Sequence, residues 1–409
     1  MAGQIDACRS CGAPDLEIVL DLGLSPLADR LLTTEQLAKP EAQYPLRLAF
    51  CHNCSLVQID YTVPPEELFC NDYPYFSSVS DALQAHTVAN VREIIARRQL
   101  TSDSLVMELA SNDGYLLKHY KQAGMRVLGI DPAEPPARAA QAIGVETLID
   151  FFTVNLAARL AREGVAADVL HANNVLAHVA DTNGFVDGIA RVLRPTGMAV
   201  LEFPYVRDLI GHCEFDTIYH QHLCYFSVTA VDKLFRRHGL YLNDIRRIPI
   251  HGGSLRLYVE PVERVLPSVT SLLEEEQRLG LTRVDYYRNF GARVERLRSQ
   301  LTTLLIELKR DGKRIAGYGA PAKGCTLINY FGIGMEIVPY TVDKNRFKQG
   351  RYMPGTHQPI YAPERLLEDQ PDYALMLPWN FTDEILAQQA EFRAKGGRFI
   401  IPIPEPRIV

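Results

Sequence analysis

The sequence predicts an α/β protein in three parts: a small metal-binding module, a central doubly wound domain on a parallel sheet, and a second, smaller doubly wound domain at the C-terminus. Three observations predict it. Two closely spaced cysteine pairs fall within the first sixty residues. Short apolar runs alternate with helical stretches from Leu105 onward, and a second alternation follows a long charged segment. Strands that alternate with helices form parallel sheets covered on both faces. At 409 residues the chain exceeds what one core usually fills and supports several domains.

The first seventy residues are short, turn-rich segments that close on Val63, Pro64 and Pro65, so residues 1–70 read as one module. A helical segment follows from about Ser80, where Leu83, Val88, Val91, Ile94 and Ile95 recur near helical spacing. The runs LVMEL, VLGID, VETLID, DVLHAN and MAVLEF supply five strands. Two further runs, 241–250 and 255–260, flank His251, Gly252 and Gly253 and read as a hairpin appended to the sheet. This central domain occupies residues 71–262. Residues 268–312 are helical and charge-rich, and RIAGYGA, IVPYTVD, YALMLP and RFIIPI then supply the strands of a C-terminal unit within residues 263–409.

A net charge of -6 without a basic stripe argues against nucleic acid as a partner. No run approaches the roughly 18 to 20 apolar residues of a membrane span, and the N-terminus lacks a basic region followed by an apolar run. The reading is a cytoplasmic protein without a membrane partner.

Cys8 with Cys11, and Cys51 with Cys54, are each C-x2-C. That spacing lets two thiolates point at one ion from a tight turn, and two such knuckles complete a tetrahedral shell. With no open position the site is structural Zn2+, whose binding folds a module too small to hold itself. His52 inside the second knuckle reads as a solvated turn residue. Cys70, Cys213, Cys224 and Cys325 read as ordinary buried thiols.

Between the first strand of the central domain and the next helix runs a small-residue turn with Glu108, Ala110, Asn112 and Gly114. Small side chains there let the backbone approach a ligand at the carboxyl edge of the sheet. The second strand ends in Asp131, a carboxylate placed to accept bonds from ribose hydroxyls. Phe151 and Phe152 after the third strand suit an adenine, and Asn173 and Asn174 follow the fourth. A pyrophosphate would want G-x-G-x-x-G, whereas Ala110 replaces a glycine and Asp113 is acidic. A sulfonium cation with an amino-acid tail tolerates such acids, which favours S-adenosylmethionine over NAD. In the C-terminal unit, GYGAPAKG carries Tyr318 and Lys323 and suits a diphosphate at a helix N-terminus, with a dinucleotide as the rival ligand. Arg346, Lys348, Arg351 and His357 in the following basic loop are further candidates for that anion.

Several long strings, ELASNDGYLLK, ANNVLAHV, FDTIYHQHLCYFS, HGGSLR, GYGAPAKG and VDKNRFKQGRYMPGTHQPI, together resemble the sugar C-methyltransferase family, which includes the C-3 methyltransferases of deoxysugar biosynthesis. The resemblance runs from Cys8 to the C-terminus. It implies a zinc-binding N-terminal domain, a central class I methyltransferase (Rossmann-like) domain for S-adenosylmethionine and a C-terminal Rossmann-like domain. A nucleotide-linked 4-keto-deoxysugar, a dTDP-sugar foremost, is then bound between them and methylated on the carbon beside the ketone. By position the resemblance implies Tyr75, His178, Tyr219 and His222 as active-site residues. One departure stands out: where many relatives resemble YHEH or YDEH, this chain has Gln221, an amide that cannot be a base. That leaves open a catalytically impaired scaffold homologue, alongside an NAD-linked sugar oxidoreductase using GYGAPAKG.

Methylating carbon requires a carbanion equivalent, so a base must work beside an oxyanion stabiliser. Histidine suits the first role and tyrosine the second. His222 is expected as base, Tyr219 and Tyr75 as enolate donors and His178 as a positioning group. His220 has no counterpart in the resemblance, and His251 is of second rank.

Overall fold

The computed structural model describes residues 3–69, 76–79 and 81–409, with the side chains of Phe69, Asp81, Ala82 and His251 left aside. Tyr75 and Cys70 lie outside the described residues. The central sheet has seven strands in the order Thr147–Leu148, Arg126–Ile130, Leu105–Leu109, Ala167–Asn173, Leu193–Pro204, Ser254–Glu260, Tyr241–Ile248. The first five are parallel, and Ser254–Glu260 runs antiparallel to both neighbours. In chain order this is 3-2-1-4-5-7-6, so the switch point falls between Leu105–Leu109 and Ala167–Asn173. Ligands of open α/β sheets bind beyond the carboxyl ends of such strands.

The expected hairpin is present, but its second strand is inserted beside Leu193–Pro204 and its first is the sheet edge. Burial explains the order: Ser254–Glu260 is buried along its whole length, while Tyr241–Ile248 exposes Arg246 and Arg247. Arg256 is tolerated inside because its Nε donates to Glu202 at 2.6 Å, and unpaired buried charges are strongly disfavoured. His86 joins the same pair, 2.9 Å from Glu202, and so fixes helix Asp81–Arg98 over the sheet.

The N-terminal module is a three-stranded antiparallel sheet, Leu16–Pro26, Gln43–Cys51 and Val57–Ile59. A fourth strand, Cys224–Tyr225, comes from the central domain and pairs with Val57–Ile59. Helix Asp285–Arg310 lays Tyr287, Phe290, Val294, Leu297, Leu301 and Leu305 along one buried face, the three-and-four spacing of an amphipathic helix. Phe50 of the module meets its Tyr287 at 5.0 Å. From helix Pro267–Leu279, the buried Glu276 accepts the backbone N–H groups of Val228 and Thr229 and so caps helix Val228–Arg237, where a carboxylate complements the unsatisfied donors.

The C-terminal sheet runs Ile360–Tyr361, Thr341–Val342, Ile315–Tyr318, Tyr373–Met376, Arg398–Ile401, Arg407–Ile408. All pairs are parallel except the last. Among the described residues no helix is long and apolar enough to cross a membrane.

Candidate functional site

The four sulfurs of Cys8, Cys11, Cys51 and Cys54 lie within 4.8 Å of one another, with Cys8 and Cys54 at 3.5 Å and Cys11 and Cys51 at 3.5 Å. Disulfides need sulfurs near 2.05 Å, so these are four free thiols. A tetrahedral zinc at about 2.3 Å from each sulfur would space them by roughly 3.8 Å, and the cluster fits that shell. Each knuckle closes with a left-handed residue after its second cysteine, Gly12 at φ 71° and Ser55 at φ 66°. Gln58 donates to the Cys8 sulfur at 3.2 Å. His52 turns outward to Glu17, 3.2 Å away. Cys213, Cys224 and Cys325 are buried free thiols.

At the switch point the turn after Leu105–Leu109 holds three left-handed residues: Ala110 at φ 54°, Asn112 at φ 50° and Gly114 at φ 73°. Alanine costs about 1 to 2 kcal/mol in that region, and such strain concentrates at ligand sites. Asp131 clasps the turn, accepting Asn112 N–H at 2.7 Å and Ala133 N–H at 2.8 Å. Asn112 and Asp113 accept the backbone N–H groups of Ser77 at 2.8 Å and Ser78 at 3.1 Å. The chain just past Tyr75 is thereby tied to this turn. Burial, then the charges of Asp131 and Asp113, push the Glu108 carboxyl well above the usual range. Asp113 Oδ1 and Ser111 Oγ are buried without a partner among the described residues. An acid-lined turn with no lysine or arginine suits a cationic amino-acid ligand, and the Asp113 and Asp131 carboxylates disfavour a pyrophosphate, so the residues fit S-adenosylmethionine.

Phe151 and Phe152 are half-buried, and Phe152 meets Phe185 edge-on at 5.5 Å. Asn174 is left-handed at φ 52°, and Asn173 Oδ1 is buried without a partner among the described residues. Both asparagines stand across the switch point from the strained turn.

The segment 214–225 is held by the two flanking modules. His220 donates to Pro45 O of the zinc module at 3.2 Å, Leu223 O accepts Ile59 N–H at 3.0 Å, and Thr326 of the C-terminal unit donates to Ile218 O at 3.1 Å. Within it, His222 Nδ1 lies 2.9 Å from Thr217 O. A carbonyl only accepts, so Nδ1 carries the hydrogen and Nε2 keeps its lone pair. That Nε2 is 2.9 Å from the Tyr219 hydroxyl. His178 donates from Nδ1 to Gln221 O at 2.6 Å and stands edge-on to His222 at 4.8 Å. Burial pulls its pKa down to about 4, against the carbonyls of Gln221 and Asn174. The Gln221 amide donates toward Asp29 at 3.4 Å, where a carboxylate would face another. His178, Tyr219 and His222 are therefore brought together, while His220 is buried against the zinc module.

The C-terminal loop turns at Gly319, φ 82°, where a Cβ would strike Pro378 at 2.5 Å. Asp343 accepts Ala320 N–H at 2.7 Å and Asn345 N–H at 2.8 Å, and Lys348 donates to Ala320 O at 2.7 Å. Lys323 donates to Asn380 at 2.7 Å and covers the Trp379 ring at 4.2 Å. Arg351 is half-buried and Arg346 exposed. His357 meets Glu41 of the zinc module at 3.2 Å, bracing two domains. Tyr318, expected at the substrate, instead packs on Phe399 in the opposite core at 5.7 Å, because strand alternation turns it away from the face that carries the loop helix. Asp216, Trp379, Thr326 and Asp29 were missed from sequence. Only Trp379 carried a signal, as the single tryptophan of the chain.

A strained, acid-ringed turn at this switch point, on this strand order, defines a class I S-adenosylmethionine-dependent methyltransferase. Residues 8–69 match a zinc binding domain family, residues 84–244 a methyltransferase domain family and residues 249–404 the C-methyltransferase C-terminal domain family. C-methyltransferase NovU of Streptomyces niveus is 37% identical over 408 residues, covering 99% of this chain and 97% of that protein. The chain therefore belongs to the sugar C-methyltransferase family, with S-adenosylmethionine as methyl donor and zinc in its N-terminal module. A ubiquinone biosynthesis O-methyltransferase of Bartonella tribocorum is 30% identical over 95 residues, 23% of this chain and 38% of that protein. Among solved structures, magnesium protoporphyrin IX methyltransferase of Synechocystis PCC 6803 with bound SAM matches at 16% identity and a TM-score of 0.34, covering 44% of this chain and 81% of that one.

Proposed function

We propose that this enzyme methylates a nucleotide-linked 4-keto-deoxysugar, a dTDP-sugar in the first instance, at C-3, the carbon beside the ketone. The observation that carries the reading is the His222 and Tyr219 pair, a lone-pair nitrogen and a phenol 2.9 Å apart within the loop that links all three modules. His222 Nε2 removes the proton from the carbon, and its Nδ1–H, held by Thr217 O, stabilises the imidazolium that results. Tyr219 turns its hydroxyl to the ketone oxygen and steadies the enolate, with Tyr75 as second donor. His178, kept neutral by burial, does not compete for the proton and orients the sugar. Gln221 meets His178 through its backbone carbonyl, and its side-chain amide faces Asp29, so an amide there is compatible with turnover. S-adenosylmethionine, when bound, supplies the electrophilic methyl group; Glu108, Ala110, Asn112, Gly114, Asp131, Phe151, Phe152, Asn173 and Asn174 line its crevice. The sugar's diphosphate is held from the C-terminal unit by Lys323, Arg346 and Arg351.

A panel of nucleotide-linked 4-keto-deoxysugars incubated with S-adenosylmethionine and analysed by mass spectrometry tests this. We expect one member to gain a single methyl on carbon. Methylation of an unrelated acceptor, with the whole panel untouched, would overturn the reading.

A further inference from the structure

We propose that Trp379 of the C-terminal unit is a positioning residue for the base, acting through Asp216 and the Thr217 carbonyl to fix the tautomer of His222. The proposal rests on the assignment of His222 as base.

Trp379 Nε1–H donates to Asp216 Oδ2 at 2.7 Å. Asp216 is fully buried in the short helical turn Phe215–Thr217, and the last residue of that turn presents the carbonyl that receives His222 Nδ1–H at 2.9 Å. The same stretch is gripped again one residue on, where the buried Thr326 donates to Ile218 O at 3.1 Å, and Phe215 stacks on Phe331 with ring centres 4.9 Å apart. All three partners, Trp379, Thr326 and Phe331, belong to the C-terminal unit. The turn that aims the base is thus built against a different domain from the one that holds S-adenosylmethionine.

The tautomer is what this contact decides. A histidine in water carries its hydrogen on either nitrogen, and a hydrogen bond at one nitrogen sets the state of the other. Proton abstraction by Nε2 needs the hydrogen on Nδ1, and triads that lose the partner fixing this tautomer lose most of their rate. Without the indole N–H, Asp216 would be a fully buried carboxyl with neither oxygen bonded to a side chain, since its Oδ1 already has no partner among the described residues. Buried groups do not stay unsatisfied cheaply, so the turn would shift and release Thr217 O. Lys323 stands over the indole ring, 4.2 Å from its centre. Its charge, with the Trp379 N–H and neighbouring backbone N–H groups, opposes the burial that pushes Asp216 up to about 6.

The test uses the full chain labelled with 15N at histidine. In wild type, NMR should show His222 with its hydrogen on Nδ1, even without substrate. Trp379→Phe, which keeps a ring but removes the N–H, should mix the two tautomers. It should also slow substrate deuterium exchange in heavy water roughly tenfold or more, with KM and S-adenosylmethionine affinity within about twofold of wild type. Thr326→Val should move both readouts the same way by less, and stands in should Trp379→Phe fail to fold. An unchanged tautomer, an unchanged exchange rate, or a loss confined to KM in these variants would overturn the proposal. A His222→Asn protein that still exchanges at the wild-type rate would instead sink the base assignment, leaving the effect of Trp379 on the tautomer to be read by itself.

Discussion

In the central unit Asp131 receives the backbone N–H of Asn112 at 2.7 Å and of Ala133 at 2.8 Å. In the C-terminal unit Asp343 receives Ala320 at 2.7 Å and Asn345 at 2.8 Å. Both carboxylates follow the second strand of their sheets, and both pin the turn that follows the first. Around this shared backbone device the charge is opposite. Asp113 attends the central turn, whereas Lys323 and Lys348 attend the C-terminal one. A doubly wound unit fixes where a small ligand sits, and the few side chains around the turn fix which charge it carries. The segment that carries Tyr219 and His222 belongs to neither crevice and rests on the C-terminal unit and on the zinc module.

The comparison breaks most completely if that last support is removed. One zinc per chain is expected by elemental analysis, and Cys51→Ser should lose the metal and nearly all methyl transfer. The reason is that strand Cys224–Tyr225 pairs with Val57–Ile59 of the zinc module and structural zinc supplies the folding energy of such modules. A Cys51→Ser protein that keeps metal and rate would contradict it.

The two clasping carboxylates should separate by ligand. Asp131→Ala is expected to weaken S-adenosylmethionine roughly tenfold or more in calorimetric titration, since a charged buried hydrogen bond is worth about 1.5 to 3 kcal/mol. Asp343→Ala should leave that affinity unchanged and raise KM for the sugar nucleotide. Equal effects of both variants on the methyl donor would erase the distinction between the crevices.

Acid sensitivity should lie in the central unit. His178 is held neutral with a pKa near 4 and His171 near 3, both below the ordinary 6.5, so the unfolded chain takes up their protons first. Stability contributed by each is therefore complete above about pH 6.5 and is lost as pH falls toward 4 for His178 and toward 3 for His171, on the order of 2 kcal/mol for one such histidine at pH 5. Thermal unfolding of His178→Gln against wild type should show the gap narrowing or reversing from pH 7 to pH 5. A constant gap would contradict the assignment. The smallest effect expected is at Ala110, where glycine should be tolerated and raise stability by up to about 1 kcal/mol by relieving the left-handed alanine. A loss of more than that would mean the methyl group packs against something that matters.

Much of this was legible in the sequence because it rests on local patterns. C-x2-C spacing marked the four thiols, and alternation marked the five parallel strands of the central sheet and four of the six C-terminal strands, since buried parallel strands are continuous apolar runs such as LVMEL; the two-residue strands Ile360–Tyr361 and Arg407–Ile408 gave no such run. The insertion of Ser254–Glu260 inside the sheet was hidden by Arg256, a charge that reads as surface until Glu202 is placed beside it. The strand Cys224–Tyr225 was invisible because two residues carry no periodicity. That Tyr318 packs against Phe399 could not be read either, because a glycine-rich loop does not reveal the parity of the strand before it. Asp216 and Trp379 are 163 residues apart, and no local pattern foretells such a contact.

The central claim is that His222, and not its neighbour His220, removes a proton from a carbon beside a ketone. The direct measurement is deuterium uptake by the 4-keto sugar nucleotide in heavy water, followed by NMR without methyl donor. His222→Asn should abolish uptake, Tyr219→Phe should slow it by roughly 10² to 10³, one oxyanion donor's worth, and His220→Asn should leave it largely intact. Near wild-type uptake by His222→Asn, with His220→Asn inactive, would contradict the account.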